Sequence, residues 1–203
     1  MSERRFPLVA WRALTPVVLA GGRSRRFGSD KLLARVGNGP ADERLIDRPI
    51  GALRHVFGPR VVLAGVRDPV VLDRAWGGVR DRTEGLGPLG GILAALEAFP
   101  KGIFVLAGDL LEIEPDVVEA LCRRMHVGRS AAVLARTDRV EPCIGIYLPA
   151  SRPWLASAAA AALGGRAMPP LHAVIPARRR VEVAIDPSRA RNINRPSDLH
   201  ASG

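Results

Sequence analysis

The chain has 203 residues, of which 47% are hydrophobic, and a formal net charge of +10. This length predicts one domain with a substantial core, and we assign residues 1–203 to it, with 1–14 as an N-terminal extension. No apolar run approaches the roughly 20 residues of a membrane span. The basic and then mixed N-terminal segment also does not have the long apolar stretch of a secretory signal.

The positive charge favours a polyanionic partner, which can be nucleic acid, a membrane surface or a phosphorylated small molecule. Aromatic residues make up only 4% of the chain, so few side chains are available to stack on bases. Among the lysines and arginines, all but Lys31 and Lys101 are arginine. This bias indicates the general amino-acid usage of the source proteome more than a surface that binds nucleic acid. We therefore expect a phosphorylated small molecule, and neither nucleic acid nor a membrane, as the partner.

Cysteine usage points to a reducing compartment. Cys122 and Cys143 are too few for a disulfide framework, and we expect buried free thiols and a cytoplasmic location. The histidines are scattered and do not have the spacing of a metal site.

Hydrophobic spacing and breaker residues predict alternating strands and helices along the chain. The predicted strands are 15–20, 60–64, 79–81, 103–107, 131–135, 144–148 and 180–185. The predicted helices are 43–57, with Pro49 allowing a start near Asp47, then 69–76, 88–99, 115–125, 151–163 and 168–175, and a short last helix that opens at Pro196.

The order of these elements predicts an α/β fold. Strands and helices alternate in the first half, which favours a mostly parallel sheet with helices on both faces, in three α/β/α layers. The second half contains strands without a helix between them, so we expect an antiparallel strand at an edge of the sheet.

A glycine-rich basic loop, LAGGRSRRFGSDK, follows the first predicted strand and spans residues 19–31. Ligands of open parallel sheets bind outside the carboxyl ends of the strands, so this loop is well placed to hold one. Gly21 and Gly22 allow backbone N–H groups to approach phosphate oxygens, while Arg26, Lys31 and their basic neighbours can neutralise a triphosphate. The spacing does not match the Walker A loop of common nucleotide hydrolases. The alternative is an exposed basic turn.

A second glycine-rich stretch, DRTEGLGPLGG, spans residues 81–91 and contains the G-x-G-x-x-G pattern of dinucleotide loops. Pro88 interrupts the pattern, and the stretch follows the third predicted strand, so it is weak evidence for a dinucleotide site. We interpret it as a tight wall against a base or sugar, where Asp81 can hydrogen-bond guanine N–H groups or ribose hydroxyls. The alternative is an ordinary turn before a helix.

Asp109 follows the buried strand 103–107 and should face the same edge as the first loop. Magnesium in proteins takes one or two carboxylates together with the phosphates of the substrate, and Asp109 fits that pattern. Glu112 and Glu114 are further candidates, and the alternative for Asp109 is a turn or capping aspartate. A glycine loop, a lysine, arginines and one metal carboxylate are sufficient for nucleotidyl transfer, which depends on positioning and charge neutralisation.

The opening loop closely resembles the L-x-GG-x-S-x-R-M-G-x-D-K signature of the molybdenum cofactor guanylyltransferase (MobA) family. The resemblance continues through GLGPLGGILAAL, the strand that ends near Asp109, EPCIGIYLPA, and NINRPSDL, and it covers about residues 15–200. It implies a nucleotidyltransferase-type, Rossmann-like fold. It also implies transfer of GMP from GTP to the phosphate of molybdopterin carrying molybdenum, with Mg²⁺ as cofactor and molybdoenzyme-maturation proteins as further partners.

The resemblance also implies roles for individual residues. Leu19, Ala20, Gly21 and Gly22 match nucleotide-binding positions, Arg26 matches the loop arginine, and Lys31 matches the phosphate-binding lysine. Asp81 matches a guanosine-binding aspartate, Asp109 a magnesium ligand, and Asn192 and Asn194 a pair on the acceptor side. The implied catalytic residues are Arg26, Lys31 and Asp109.

The sequence departs from the family pattern at several places. Val66 stands where the family has an asparagine that contacts the nucleotide, and loss of such a hydrogen bond costs about 1 kcal/mol. Leu110 and Leu111 replace Met-Pro after the metal aspartate, Phe27 replaces methionine, and Glu141 replaces glutamine or histidine.

Three alternatives stay open at this point. Val66 allows a cytidylyltransferase, or another NTP transferase acting on molybdopterin or on a sugar or polyol phosphate. The net charge and Leu110–Leu111 allow a non-catalytic relative that binds nucleic acid, nucleotide or cofactor. The pattern at 81–91 allows a dinucleotide oxidoreductase, which ranks last.

Overall fold

The computed structural model describes residues 11–21, 31–36, 43–66, 68–81, 83, 85–125, 130–193 and 198. Four of the sequence predictions, for Gly22, Arg26, Asn194 and the helix opening at Pro196, lie outside these residues, as does most of the 1–14 extension.

The described residues form strands and helices in close alternation. The strands are β1 (Thr15–Leu19), β2 (Val62–Ala64), β3 (Gly77–Val79), β4 (Ile103–Ala107), β5 (Ala132–Arg136), β6 (Val140–Tyr147) and β7 (Arg180–Ala184). The helices are α1 (Asp47–Phe57), α2 (Pro69–Leu72), α3 (Pro88–Ala98), α4 (Pro115–Arg123), α5 (Arg152–Leu163) and α6 (Leu171–Val174). None of the helices within these ranges is long and apolar enough to cross a membrane.

The strands form one sheet in the order β3-β2-β1-β4-β6-β5-β7. All neighbouring strands are parallel except that β6 runs antiparallel to both β4 and β5. The mostly parallel sheet with an antiparallel strand is therefore confirmed. The prediction that this strand lies at an edge is wrong, because β6 pairs on both sides. A tight turn at 137–139 reverses the chain after β5, and β7 later covers the outer side of β5.

Helices cover both faces of the sheet. Strand residues alternate between the two faces, and in β4 Phe104 and Leu106 belong to one buried cluster while Ile103 and Val105 belong to the other. The first cluster includes α1 and α4 through Ile50, Leu53, Val118 and Leu121. The second includes α3 and α5 through Ile92, Leu96, Leu155 and Ala158. The three-layer α/β/α architecture is confirmed.

Element boundaries differ from the predictions where the local pattern is weak. β3 begins at Gly77, two residues before the predicted start, because Gly77 and Gly78 pair with β2 although glycine has a low intrinsic preference for strands. β6 begins at Val140 rather than at 144, since its half-buried first residues do not show apolar alternation. A register shift between Leu134 and Ala135 accompanies this extension.

The carboxyl ends of β1, β2, β3 and β4 meet at one edge of the sheet because these strands are parallel. The chain after β7 returns to the same edge, where Asn192 pairs with Leu110 in an isolated antiparallel bridge. We call residues 191–193 the C-terminal strap.

Candidate active site

Backbone hydrogen bonds join the strand ends at this edge. Ala20 N–H donates to the Ala64 carbonyl (2.8 Å), and Gly108 N–H donates to the Leu19 carbonyl (3.0 Å). Leu19 and Ala20 are buried, whereas Gly21 is exposed. The three predicted nucleotide-binding residues thus lie at the centre of the sheet edge, with the β2 end on one side and the β4 end on the other.

Two glycines allow the chain ends to approach this closely. A Cβ at Gly65 would lie 3.0 Å from the Gly21 Cα, and Gly65 has a φ of +77°. A Cβ at Gly108 would lie 2.8 Å from the Leu19 carbonyl oxygen. A side chain at Gly108 would clash with the Leu19 backbone, and one at Gly65 would press on the Gly21 backbone, so glycine at both positions lets the strand ends pack closely.

Lys31 and Asp109 form an ion pair at this edge. The Lys31 Nζ lies 2.5 Å from the Asp109 Oδ2, and the two side chains are 21% and 19% exposed. The ammonium also donates to the Ile193 carbonyl at 3.1 Å. Lys31 and Asp109 belong to separate motifs and are 78 positions apart in sequence, yet their side chains are in direct contact.

The C-terminal strap holds this pair from outside. Ile193 N–H donates to the Asp109 carbonyl (3.0 Å), and Leu111 N–H donates to the Arg191 carbonyl (3.4 Å). The Ile193 side chain is buried with Val36, Leu45 and Leu111. This places Asn192, which is exposed, next to Asp109. The contact from Ile193 was not predicted, because a backbone carbonyl leaves no signal in the residue type.

Asp81 lies at the wall formed by the second glycine stretch. Its Oδ2 would be 3.2 Å from a Cβ at Gly90 and 3.3 Å from one at Gly65. Gly85 and Gly87 have positive φ values of 89° and 56°, and α3 begins directly after them at Pro88. The carboxylate thus packs against the first turn of a helix, where negative charge is favoured. Residues 85–91 therefore form a turn into α3, with the Asp81 carboxylate packed against Gly90.

A cleft of about 410 Å³ opens beside Asp81. It lies between the end of β2, helix α2 and strand β3, and Val66 and Arg80 are among its lining residues. Val66 is 9% exposed and offers the cleft an apolar side chain. Asp68, also in the lining, caps α2 by accepting a hydrogen bond from Val70 N–H (2.8 Å).

Asp109 fits a magnesium ion that arrives with phosphates. Within the described residues no group of three or more histidine, cysteine or acidic side chains could form a cage for a metal. Magnesium does not need one, since it binds through one or two carboxylates and substrate phosphates. The Lys31 ammonium at 2.5 Å shows that the Asp109 Oδ2 accepts a cation in this position. Glu112 instead pairs with Arg191 in the strap, and Glu114 pairs with Arg189, which precedes the strap.

The thiol near this site is not a nucleophile. Burial raises the pKa of Cys143 to about 12, and the negative charges of Asp109 and Glu141 add to the increase. A thiol with this pKa is protonated at neutral pH, and only the thiolate is strongly nucleophilic. Among the described residues at this edge, the Lys31 ammonium is suited to bind an anion and the Asp109 carboxylate to bind a cation.

Residues 16–181 match the family of MobA-like NTP transferase domains. The chain belongs to this family. A probable molybdenum cofactor guanylyltransferase from Opitutus terrae is 34% identical to this MobA-like chain over 197 residues, which cover 92% of the chain and 93% of the relative. One from Pelotomaculum thermopropionicum is 36% identical over 135 residues, which cover 66% of the chain and 62% of the relative.

Solved structures share the fold of this MobA-like chain. The molybdopterin-guanine dinucleotide biosynthesis protein A of Archaeoglobus fulgidus superposes with a TM-score of 0.69 at 23% identity, covering 92% of this chain and 95% of that one. The 2-C-methyl-D-erythritol 4-phosphate cytidylyltransferase of Thermus thermophilus gives a TM-score of 0.60 at 17% identity, covering 91% and 94%. The predicted nucleotidyltransferase-type fold is confirmed.

Proposed function

We propose that this MobA-like protein transfers GMP from GTP to the phosphate of a molybdopterin-type acceptor and releases pyrophosphate, in molybdenum cofactor biosynthesis. The observation that carries the proposal is the contact between Lys31 and Asp109 at the carboxyl edge of the sheet. Nucleotidyl transfer needs a cationic side chain that binds the phosphates close to a carboxylate that binds the metal ion. The names of the relatives support guanylyl transfer in particular.

The residues divide into a nucleotide half and an acceptor half. Leu19, Ala20, Gly21 and Gly22 bind the nucleotide, and Lys31 and Arg26 neutralise its triphosphate. Asp81 receives the guanosine in the cleft beside Gly65. Asn192, which lies in the strap, and Asn194 bind the acceptor.

The reaction forms one bond and breaks one. A phosphate oxygen of the acceptor attacks the α-phosphorus of GTP, and the bond between the α-phosphorus and its bridging oxygen to the β-phosphate breaks, so that pyrophosphate leaves with the electron pair. Lys31 offsets the charge that develops on the phosphate oxygens, because its ammonium is held at the edge before the reaction starts. Asp109 would hold Mg²⁺, which supplies additional neutralisation of the phosphates when bound.

Cytidylyl transfer is the second candidate function. Val66 lines the cleft beside Asp81 with an apolar side chain, where an amide would hydrogen-bond a guanine or its ribose. A site without that amide loses part of its ability to distinguish guanine from cytosine. We also propose a cytoplasmic location, for which the low cysteine content is the support.

The test combines the purified protein, molybdenum-loaded molybdopterin and each NTP with Mg²⁺. Pyrophosphate release and the mass of the dinucleotide product are measured. We expect the guanine dinucleotide to dominate, whereas a cytosine product would move the proposal to the second candidate. Absence of any product and of thermal stabilisation by every NTP would overturn the enzymatic proposal, since a ligand that binds the folded state must stabilise it.

Two substitutions test the roles, each with a matched control. Lys31→Ala and Asp109→Asn should abolish transfer while the protein stays folded. Lys101→Ala removes the second lysine, which lies before β4 at the opposite edge of the sheet, and Asp73→Asn removes an exposed carboxylate. Both controls should keep wild-type transfer. Full activity in Lys31→Ala or Asp109→Asn would contradict the assigned roles.

A further inference from the structure

The Lys31 ammonium lies where a cation bound to Asp109 would lie. It is 2.5 Å from the Asp109 Oδ2 and 3.1 Å from the Ile193 carbonyl oxygen. Both side chains of the pair are about four-fifths shielded from water, at 21% and 19% exposure. The interaction between charges is stronger in such surroundings than in bulk water.

A metal ion and the Lys31 ammonium cannot use the Asp109 Oδ2 in the same way at once. A divalent ion on this oxygen would lie next to the ammonium and would be repelled by it. If the ammonium moved away without another anion to receive it, a shielded positive charge would lose its partner, which is costly. The ion pair therefore opposes the binding of a metal ion by itself.

A polyphosphate removes this opposition. Its oxygens offer the ammonium new anionic partners within reach of the same side chain. The Ile193 carbonyl keeps the ammonium close during the change, and the Ile193 N–H is bonded to the Asp109 carbonyl, so this second acceptor is attached to the carboxylate residue itself. The Asp109 carboxylate then becomes available to a divalent ion.

We propose that Lys31 acts as an internal cation on Asp109 in the ligand-free protein, so that a divalent metal ion and a polyphosphate each bind at this edge more tightly when the other is present. This inference rests on the site used in the proposed function, and it adds a rule for the order of binding. Its consequence is that metal alone binds weakly, and that the nucleotide and the metal ion raise each other's affinity equally.

The experiment measures binding of Mn²⁺, as a probe for Mg²⁺, by electron paramagnetic resonance of the free ion. The proteins are wild type, Lys31→Gln, Lys31→Gln combined with Asp109→Asn, and Lys101→Gln as the control lysine. Glutamine removes the charge and keeps a donor for the Ile193 carbonyl. Without nucleotide, we expect Lys31→Gln to bind Mn²⁺ more tightly than wild type by about 5- to 150-fold, the usual range of such coupling. The double variant and Lys101→Gln should show no gain.

A second arm repeats the titration with a GTP analogue whose α,β-bridge is methylene, so that no transfer occurs. The analogue should raise the Mn²⁺ affinity of wild type by a larger factor than that of Lys31→Gln. Lys31→Met, a second neutral variant, should repeat the gain of Lys31→Gln without nucleotide, whereas Lys31→Arg keeps the charge and should not. Melting curves establish that each variant is folded, and either neutral variant suffices for the test.

Equal Mn²⁺ affinities of wild type and the neutral variants would overturn the inference, and so would a gain that persists after Asp109→Asn. The Mn²⁺ titration without nucleotide does not depend on the reaction. If Lys31→Gln binds Mn²⁺ more tightly than wild type but the wild-type protein itself transfers no nucleotide, the proposed function is refuted and the competition at Asp109 stands. Transfer of GMP with unchanged Mn²⁺ affinities would do the reverse.

Discussion

The C-terminal strap should depend on one buried side chain, that of Ile193. This side chain is 0% exposed and packs with Val36, Leu45 and Leu111. The backbone of the same residue contacts both members of the ion pair, through the N–H to Asp109 and the carbonyl to Lys31. The substitution Ile193→Ala therefore weakens the strap where it meets the site.

The expected loss of stability follows from the burial. Truncation of a buried isoleucine to alanine costs about 2–5 kcal/mol, and the lower part of that range applies where neighbours can relax into the space. The Ile193 cluster has few buried members, so we expect about 2–3 kcal/mol. In a chain of this length 1 kcal/mol corresponds to roughly 2–4 °C, so Tm should fall by roughly 4–12 °C.

The assay is urea unfolding followed by circular dichroism, together with pyrophosphate release well below the Tm of the variant. Transfer should fall more than stability explains, because Lys31 loses a fixed acceptor. The control is Ile175→Ala, since Ile175 is 2% exposed in the cluster on the α3–α5 face and does not touch the strap. An unchanged unfolding midpoint, or a loss of transfer equal to that of Ile175→Ala, would refute this reasoning.

Two further predictions concern the scaffold. Gly108→Ala would place a Cβ 2.8 Å from the Leu19 carbonyl oxygen and should destabilise the fold by about 1–3 kcal/mol. Gly51→Ala in α1 would place a Cβ that meets nothing within 4 Å beyond its own helix backbone, and it should stabilise the fold by about 0.5–1 kcal/mol. Chemical denaturation of both variants tests this, and equal effects would contradict it. Burial raises the pKa of Tyr147 well above 10.0, and its hydroxyl donates to the Pro142 carbonyl at 2.7 Å. Because the folded state holds this proton more tightly than the unfolded state, stability is retained below pH 10 and falls as the pH rises above it. Tyr147→Phe should reduce that fall in alkaline denaturation curves and should cost about 1 kcal/mol at neutral pH, and an identical alkaline slope would contradict the assignment.

Much of the site follows from local sequence. The apolar run 103–107 coincides with β4, and helices open at Pro88 and Pro115 as the proline positions predict. Once the first half is assigned as parallel, residues 19–21 and Asp109 must share one edge, because parallel strands end on the same side. Lys31 is expected there because it ends the loop that follows β1. Residue type and strand direction are sufficient for that conclusion, and neither requires knowledge of distant pairing.

The remaining features depend on pairings between residues far apart in the chain. Two sets of hydrogen bonds place β6 between β4 and β5. The first residues of β6 have no alternation of apolar and polar side chains from which a strand could be predicted. In the strap, Asn192 pairs with Leu110 and the Ile193 carbonyl accepts a hydrogen bond from Lys31. Both contacts use the backbone of the strap, so the residue type at these strap positions does not predict them. The sequence by itself therefore determines which strand ends share an edge and which charged groups are expected near them. Only the tertiary structure decides that the Lys31 ammonium contacts the Asp109 carboxylate, because the distance between these two groups depends on long-range packing and not on any local preference.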